Sequence, residues 1–311
     1  MKEDNRKLVR IYKTMIIAFV ALLVIFPWGL SITALSKINR LESQLESLTT
    51  RLEQSPDNVP DDVAGQPSLP ANAVVAIPEA PGLHDASKIA YLTFDDGPSK
   101  NTPAILDVLR QYGVRATFFV VGRTDSKLTA MYRTILEEGH SLGIHSYTHE
   151  YGQVYASSDA CINDIDQLAE LLFNSTGVHP SIYRFPGGSS NRIASMSLIA
   201  DVAFRLTQRD IQFFDWNVDS GDGRARQPSA QEIVQNVANG AKQWKRANIL
   251  LHDDAAKCNT VEALPGIIES LQAQGFVFDR LTNQTEPTQH RVFATVSLFR
   301  AISSRREQLQ P

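Results

Sequence analysis

Two histidines and two aspartates in this sequence have the spacing of a metal-dependent hydrolase site. His145 and His149 are four residues apart, a spacing that in a helical turn places both imidazoles within reach of one ion. One carboxylate completes a set of two histidines and one acid that leaves an open position for water. The adjacent Asp95 and Asp96 offer that ligand and a second carboxylate to act as a base. These residues predict metal-assisted attack of water on a carbonyl carbon.

Two further residues supply the remaining roles in such a reaction. His252 is a candidate for the acid that protonates the leaving group. Arg184 could orient a neighbouring carboxylate and hold it ionised. Each residue alone is more typical of a core, a turn or a surface ion pair, so the prediction depends on their combination.

The elements that must position these residues alternate between short apolar runs and amphipathic runs. Predicted strands cover 88–94, 116–121, 141–144, 182–184, 213–218, 248–251 and 276–278. Predicted helices cover 102–112, 127–138, 158–173, 190–204, 229–242 and 260–274. Repeated strand–helix units predict a mainly parallel sheet with helices outside, either open or closed as a barrel. The candidate residues then share the carboxyl ends of the strands, where such folds carry their sites.

Five motifs in this order resemble the polysaccharide deacetylases of carbohydrate esterase family 4, whose catalytic unit is the NodB homology domain. They are Thr-Phe-Asp-Asp at 93–96, His-Ser-Tyr-Thr-His at 145–149, Arg-Phe-Pro-Gly at 184–187, Asp-Ser-Gly-Asp at 219–222 and Leu-Leu-His at 250–252. The resemblance covers about 87–281 and implies an α/β fold, a distorted parallel β/α barrel of about seven strands. It also implies metal-dependent removal of N- or O-acetyl groups from sugars, usually with zinc, and with cobalt or nickel as alternative divalent metals.

The resemblance assigns a role to each motif residue. It implies that Asp95 is the catalytic base, that Arg184 orients this base, and that His252 is the acid. The implied metal ligands are Asp96, His145 and His149, and the implied substrate contacts are Leu250, Pro186 and Gly187, with Leu250 as a wall of the acetyl pocket.

The fourth motif departs from the family pattern. Its second aspartate, which in the family pairs with the catalytic histidine or the arginine, is commonly followed by Trp, whereas Gly223 follows Asp222 here. A competing register places Asp215 and Trp216 at the motif, with Gln212 in the first Asp position. We prefer Asp222 because it lies beyond a strand, and we expect Trp216 to pack in the core. The missing Trp removes one groove wall and leaves the substrate preference open.

Cys161 and Cys258 lie a little beyond the second and fifth motifs. An exported domain is in an oxidising setting, so the two cysteines either form a disulfide bond or remain two free thiols.

The segments before the deacetylase-like region predict a membrane tether. Residues 15–35 carry no charge and are long enough to span a bilayer, and the Lys/Arg excess in residues 1–14 predicts a cytoplasmic N-terminus. A cleaved signal peptide is the alternative, although Ile32-Thr33-Ala34 is a poor cleavage site. Residues 36–54 predict an amphipathic helix or a short coiled-coil stalk that forms a homodimer, and residues 55–86 predict a Pro-rich linker.

The remaining organisation and the function follow from these segments. The catalytic domain is predicted over 87–283, with a C-terminal tail over 284–311. A net charge of -4 and a pI of about 6.0 give no basic bias towards nucleic acid. The predicted protein is a single-pass membrane enzyme whose extracellular domain deacetylates N-acetylglucosamine of peptidoglycan. Alternatives are a deacetylase of chitin-like oligomers or acetyl-xylan, and a tethered glycan-binding protein without activity.

Overall fold

The computed structural model of this 311-residue chain describes residues 87–293. The predicted anchor, stalk and linker lie outside the described residues, as does the tail beyond residue 293. Between residues 87 and 293, no helix combines the length and the apolar character that crossing a bilayer requires.

Eight strands alternate with seven helices along residues 87–293. The strands are β1 (Ile89–Asp95), β2 (Thr117–Val121), β3 (Ser141–Ser146), β4 (Ile182–Tyr183), β5 (Gln212–Phe213), β6 (Val218–Asp219), β7 (Arg246–His252) and β8 (Val277–Asp279). The helices are α1 (Thr102–Tyr112), α2 (Ser126–Glu137), α3 (Tyr151–Val154), α4 (Ser158–Thr176), α5 (Met196–Thr207), α6 (Ala230–Ala241) and α7 (Cys258–Ala273).

All strand pairs are parallel, and the sheet order is β5-β4-β3-β2-β1-β7-β6, with β8 pairing to the start of β1. The two end strands, β5 and β6, do not pair with each other, so the barrel is not closed. The fold is a curled half-barrel, the open one of the two predicted forms of the parallel sheet.

Strand β1 shows how the sheet separates its core from its site. Ala90, Leu92 and Phe94 join the large apolar cluster that the helices cover. Because side chains alternate along a strand, Tyr91 and Asp95 face the other side, the concave interior. There Tyr91 belongs to a smaller apolar cluster, and Asp95 lies at the carboxyl end of the strand.

The structure differs from the sequence prediction in the second half of the sheet. The single strand expected at 213–218 is two short strands, β5 and β6, separated by four residues. The helix expected at 190–204 begins only at Met196, where Ser195 caps it by accepting a hydrogen bond from the Leu198 amide. Helix α3 was not predicted.

The first part of the predicted tail packs on the domain. The Asp215 amide donates to the Thr288 carbonyl at 2.7 Å, and the Gln289 side chain donates to the Phe213 carbonyl. Phe293 packs against the large apolar cluster. Residues 284–293 therefore cover the gap between β5 and β6.

Candidate active site

Asp96, His145 and His149 meet at the carboxyl edge of the sheet. The Asp96 Oδ1 atom lies 3.5 Å from His145 Nε2 and 3.2 Å from His149 Nε2. His145 belongs to strand β3, so the helical turn assumed for the histidine spacing is wrong. Instead, Asp96 and His149 have φ angles of 72° and 56°, the left-handed conformation that side chains other than glycine seldom adopt. These two strained residues turn their side chains towards His145, an arrangement typical of a functional site.

A buried carboxylate on helix α4 holds the turn between the two histidines. Asp164 accepts hydrogen bonds from the Ser146 hydroxyl and from the amides of Tyr147 and Thr148. The His149 amide in turn donates to the Ser146 hydroxyl at 2.8 Å. The motif analysis did not identify Asp164, although an Asp on the buried face of an amphipathic helix is itself a signal of a polar role.

The donor atoms of this cluster fit a divalent cation. His145 Nδ1 lies 2.8 Å from the Arg184 carbonyl, and because a carbonyl only accepts, Nδ1 carries the proton and Nε2 presents a lone pair. Burial lowers the pKa of His145 to about 3, so this imidazole is neutral. The Asp96 Oδ1 atom is buried and has no hydrogen-bond partner among residues 87–293. Atoms of these three residues that can bind a metal lie within 4.8 Å of one another, so a shared cation would satisfy them.

Asp95 lies beside this cluster as the candidate base. Its side chain is 5% exposed, its Oδ1 accepts a hydrogen bond from Arg184 Nη1 at 2.9 Å, and its Oδ2 lies 3.9 Å from His145 Nε2. Burial raises the pKa of Asp95, and the charge of Arg184 offsets only part of that rise. A carboxylate with a raised pKa is a better proton acceptor near neutral pH.

Arg184 is completely buried and fixed on every side. Its Cζ atom lies 4.3 Å from the centre of the Phe119 ring. Its guanidinium donates further hydrogen bonds to the Thr93 hydroxyl, the Phe214 and Asp215 carbonyls and the Asn248 side chain. The arginine therefore offers Asp95 one immobile donor, in the orienting position that the motif implies.

His252 lies next to Asp95 across the β1–β7 pairing. Its Nδ1 lies 2.7 Å from Asp222 Oδ1, which leaves Nε2 free to act on a substrate. Burial alone would lower the pKa of His252, but the hydrogen bond and charge of Asp222, with the charges of Asp95 and Asp96, raise it to about 9. His252 is therefore protonated at neutral pH, as a proton donor must be.

A family model for polysaccharide deacetylases matches residues 83–203. A peptidoglycan-N-acetylglucosamine deacetylase from Bacillus cereus is 32% identical over 196 residues, covering 62% of this chain and 68% of the relative. The catalytic domain of a peptidoglycan N-acetylglucosamine deacetylase from Eubacterium rectale has a TM-score of 0.64 at 39% identity, covering 67% of this chain and 95% of that domain. The chain belongs to the polysaccharide deacetylase family. A bifunctional xylanase/deacetylase from Pseudobutyrivibrio xylanivorans is also similar, 35% identical over 192 residues that cover 61% of this chain and 29% of the relative.

In the structure, the two aspartates of the alternative fourth-motif registers, Asp222 and Asp215, have different partners. Asp222 pairs with His252, as the preferred register predicts. Asp215 is also fully buried, and its carboxylate accepts hydrogen bonds from the amides of Ser189 and His290 at 2.7 Å. Asp215 therefore holds the loop after Arg184 and the C-terminal segment together, a structural role that the sequence analysis did not assign.

Trp216 is half-buried, so the prediction that it packs in the core is wrong. Its ring lies edge-on to His290 and its centre is 5.8 Å from Arg184 Cζ. The ring lies under the loop that carries Gly188, where an added Cβ would come within 2.9 Å of it. Trp216 is therefore a wall behind Arg184, on the open edge of the half-barrel.

The three expected substrate contacts differ in their exposure. Leu250 is 6% exposed and lies two residues before His252, on the same face of β7, beside the candidate acid. Gly187 is exposed, whereas Pro186 is buried and its carbonyl accepts a hydrogen bond from Tyr155. The contact of Pro186 with a substrate stays a prediction. Tyr151, which the motifs did not identify, packs edge-on against His149 and lies next to Gly187, so it belongs to the rim.

The two cysteines are free, which is one of the two states that the sequence left open. Cys161 is buried in the first turn of α4, with its sulfur 3.8 Å from the Tyr183 hydroxyl. Cys258 is exposed at the start of α7. Helix α4 packs against α2, α3 and α5, whereas α7 packs against α1 and α6, so the cysteines belong to different sides of the fold.

Proposed function

We propose that this chain hydrolyses the N-acetyl group of N-acetylglucosamine residues in cell-wall peptidoglycan. The observation that carries the proposal is the placement of the Asp96, His145 and His149 cluster beside Asp95, which is itself next to His252 across the β1–β7 pairing. Amide hydrolysis needs a base for the attacking water and an acid for the departing amine, and these side chains offer both.

The proposed cofactor is zinc, held by Asp96, His145 and His149, because two imidazoles and a carboxylate with an open fourth position are a typical catalytic zinc set. When bound, zinc would supply charge that polarises the acetyl carbonyl and acidifies water. Cobalt or nickel could replace it with the same ligands.

The chain's own residues would move the protons. Asp95, held by Arg184, accepts the proton of the attacking water through its free oxygen. His252, held by Asp222, donates its Nε2 proton to the sugar nitrogen as the C–N bond breaks. Acetate and the free amine of the sugar are then the two products. A protein that only binds glycan needs neither the raised pKa of Asp95 nor that of His252, which favours catalysis over the binding alternative.

Peptidoglycan is favoured over other acetylated glycans by the similarity to the deacetylases from Bacillus cereus and Eubacterium rectale. The similarity to the xylanase/deacetylase makes acetyl-xylan a second candidate substrate. Chitin-like oligomers are the third, since they carry the same acetamido group.

We also propose a location for the enzyme. Residues 15–35 would span the membrane once, and the stalk and linker of residues 36–86 would hold the catalytic domain outside the cell, as a homodimer if the stalk pairs. Protease treatment of intact cells should then release the catalytic domain, and a domain that resists protease until the cells are lysed would contradict this location.

Acetate release tests the substrate most directly. Purified protein is incubated with peptidoglycan, chitin oligomers or acetyl-xylan, each with and without a chelator. The proposal predicts the highest rate on peptidoglycan and its loss with chelator. A higher rate on acetyl-xylan would favour the second substrate, and no release from any glycan with metal present would favour the binding protein.

A further inference from the structure

A second cleft opens on the concave side of the sheet, at the end opposite the candidate active site. Its volume is about 820 Å³, and its lining includes Tyr91, Trp216, Trp244, Arg246, Glu286 and His290. Tyr91 lies four residues before Asp95 on β1, which places the cleft about 13 Å along the strand from the base. Trp216 separates the two sites, since its ring also packs towards Arg184. The cleft is therefore distinct from the site that carries the chemistry.

Three large aromatic residues line this cleft, two partly exposed tryptophans and the buried Tyr91. Trp244 precedes β7 and is 39% exposed, Trp216 is half-buried, and the Tyr91 hydroxyl accepts a hydrogen bond from Arg246. A patch of partly exposed apolar rings rimmed by polar residues is typical of a binding surface. Flat aromatic rings beside polar groups suit a ligand with apolar C–H faces and a polar rim, and a sugar ring has that shape.

The polar groups of the cleft are balanced in charge. Lys245 and Arg246 contribute two positive charges, and Asp219 and Glu286 contribute two negative charges. The amides of Asn217 and Gln289 add neutral donors and acceptors, and Thr288 and His290 also line the cleft. This balance disfavours a strongly charged polymer such as a nucleic acid and suits a neutral ligand rich in hydroxyl and amide groups.

We propose that this cleft binds a second stretch of glycan made of acetamido sugars, the ligand class that follows from the proposed function. Trp244 would stack on a sugar ring, and the amides and carboxylates would bind its hydroxyl and acetamido groups. Two sites on one domain would raise the apparent affinity for a polymer or a layered wall, because the second contact is intramolecular once the first has formed.

The test is binding of the full chain to insoluble, protein-free peptidoglycan, measured by depletion from solution. Trp244→Ala should bind about fivefold more weakly than the wild type, the loss expected from removing one stacking ring. Trp244→Phe should recover most of the binding. Phe173→Ala is the matched control, since Phe173 is 40% exposed but lies on α4, stacked on His179. The thermal midpoint of each variant shows that the domain remains folded.

Wild-type binding by folded Trp244→Ala would overturn the proposal, as would an equal loss in Phe173→Ala. Acetate release from the same peptidoglycan by the wild-type protein is measured in parallel. If no acetate is released but Trp244→Ala still loses binding, the proposed activity fails and the glycan cleft stands. If acetate is released and Trp244→Ala binds normally, the cleft proposal fails and the activity stands.

Discussion

His252 and Asp222 form a closely bonded pair at the carboxyl end of β7. The imidazole Nδ1 lies 2.7 Å from Asp222 Oδ1, and the His252 amide donates to Oδ2 of the same carboxylate at 2.8 Å. A hydrogen bond from the Thr260 hydroxyl completes the surroundings of this buried carboxylate. These hydrogen bonds outweigh the effect of burial and lower the pKa of Asp222, so the acid stays ionised and holds a protonated histidine.

Asp222→Asn should therefore weaken the catalytic acid. Without the negative charge, the pKa of His252 falls from about 9, and the basic limb of the pH–rate profile moves down by at least about one pH unit. The profile of kcat/KM measures the shift. Asp107→Asn, at a 71% exposed carboxylate, is the control and should leave the limb in place. If the basic limb of the pH–rate profile is unchanged in Asp222→Asn, Asp222 does not raise the pKa of the catalytic acid.

The wild-type enzyme should show a bell-shaped pH dependence. Asp95 must be ionised to act as a base. Because burial raises its pKa, activity should be lost on the acid side at a higher pH than that at which an exposed Asp titrates. His252 must be protonated to act as an acid, so activity should fall again as the pH rises through about 9. Acetate release across this range measures both limbs. A rate that keeps rising well beyond that pH would contradict the role of His252.

Gly223 is expected to be required for activity because it lies close to the candidate acid, His252. A Cβ atom at this position would lie 2.8 Å from His252 Cε1, so even alanine would displace the imidazole. Gly223→Ala should lower kcat by about tenfold or more, as expected for a misplaced proton donor. Gly152→Ala, where an added Cβ meets nothing within 4 Å, should retain the wild-type kcat. Equal kcat values in the two variants would show that His252 tolerates the displacement or does not act.

His149→Ala should remove metal and activity together. The variant loses one of three ligands, so the zinc content of the dialysed protein should fall, and added zinc should restore only part of the activity. His179→Ala is the control, since His179 stacks on Phe173 away from the cluster. Metal analysis and acetate release are measured on the same samples. Full zinc content and full activity in His149→Ala would contradict the proposed ligand set.

The sequence predicted the parallel α/β fold because the long elements follow clear patterns. Strand β1 and helix α4 have the apolar runs and spacings that identify a buried strand and an amphipathic helix, and both lie within a few residues of the predicted ranges. Strands β5 and β6 have two residues each, and their pairing depends on neighbours that local sequence does not reveal. The predicted strand at 213–218 joined them because Phe214 and Trp216, which lie between the two strands, are also apolar.

The site was predicted in composition but not in conformation. The motifs identified Asp96 and His149, whereas their left-handed backbone is set by tertiary contacts, such as the hydrogen bonds that Asp164 makes within the turn. The sequence left the state of the two cysteines open because distance from the motifs does not show which helices share a side of the fold. Trp216 was assigned to the core once Asp222 was preferred for the fourth motif, whereas in the structure its ring lies edge-on to His290 of the C-terminal segment.

The measurement that tests the central claim most directly is acetate release by Asp95→Asn at full metal content. Asparagine has the shape of aspartate but cannot take the proton of water. Because Asp95 lies outside the three-residue metal cluster, the zinc content should match that of the wild type. The account predicts a rate at least about 10³-fold lower on peptidoglycan. A rate near that of the wild-type protein, with the same zinc content, would contradict the assignment of Asp95 as the base of a metal-dependent deacetylase.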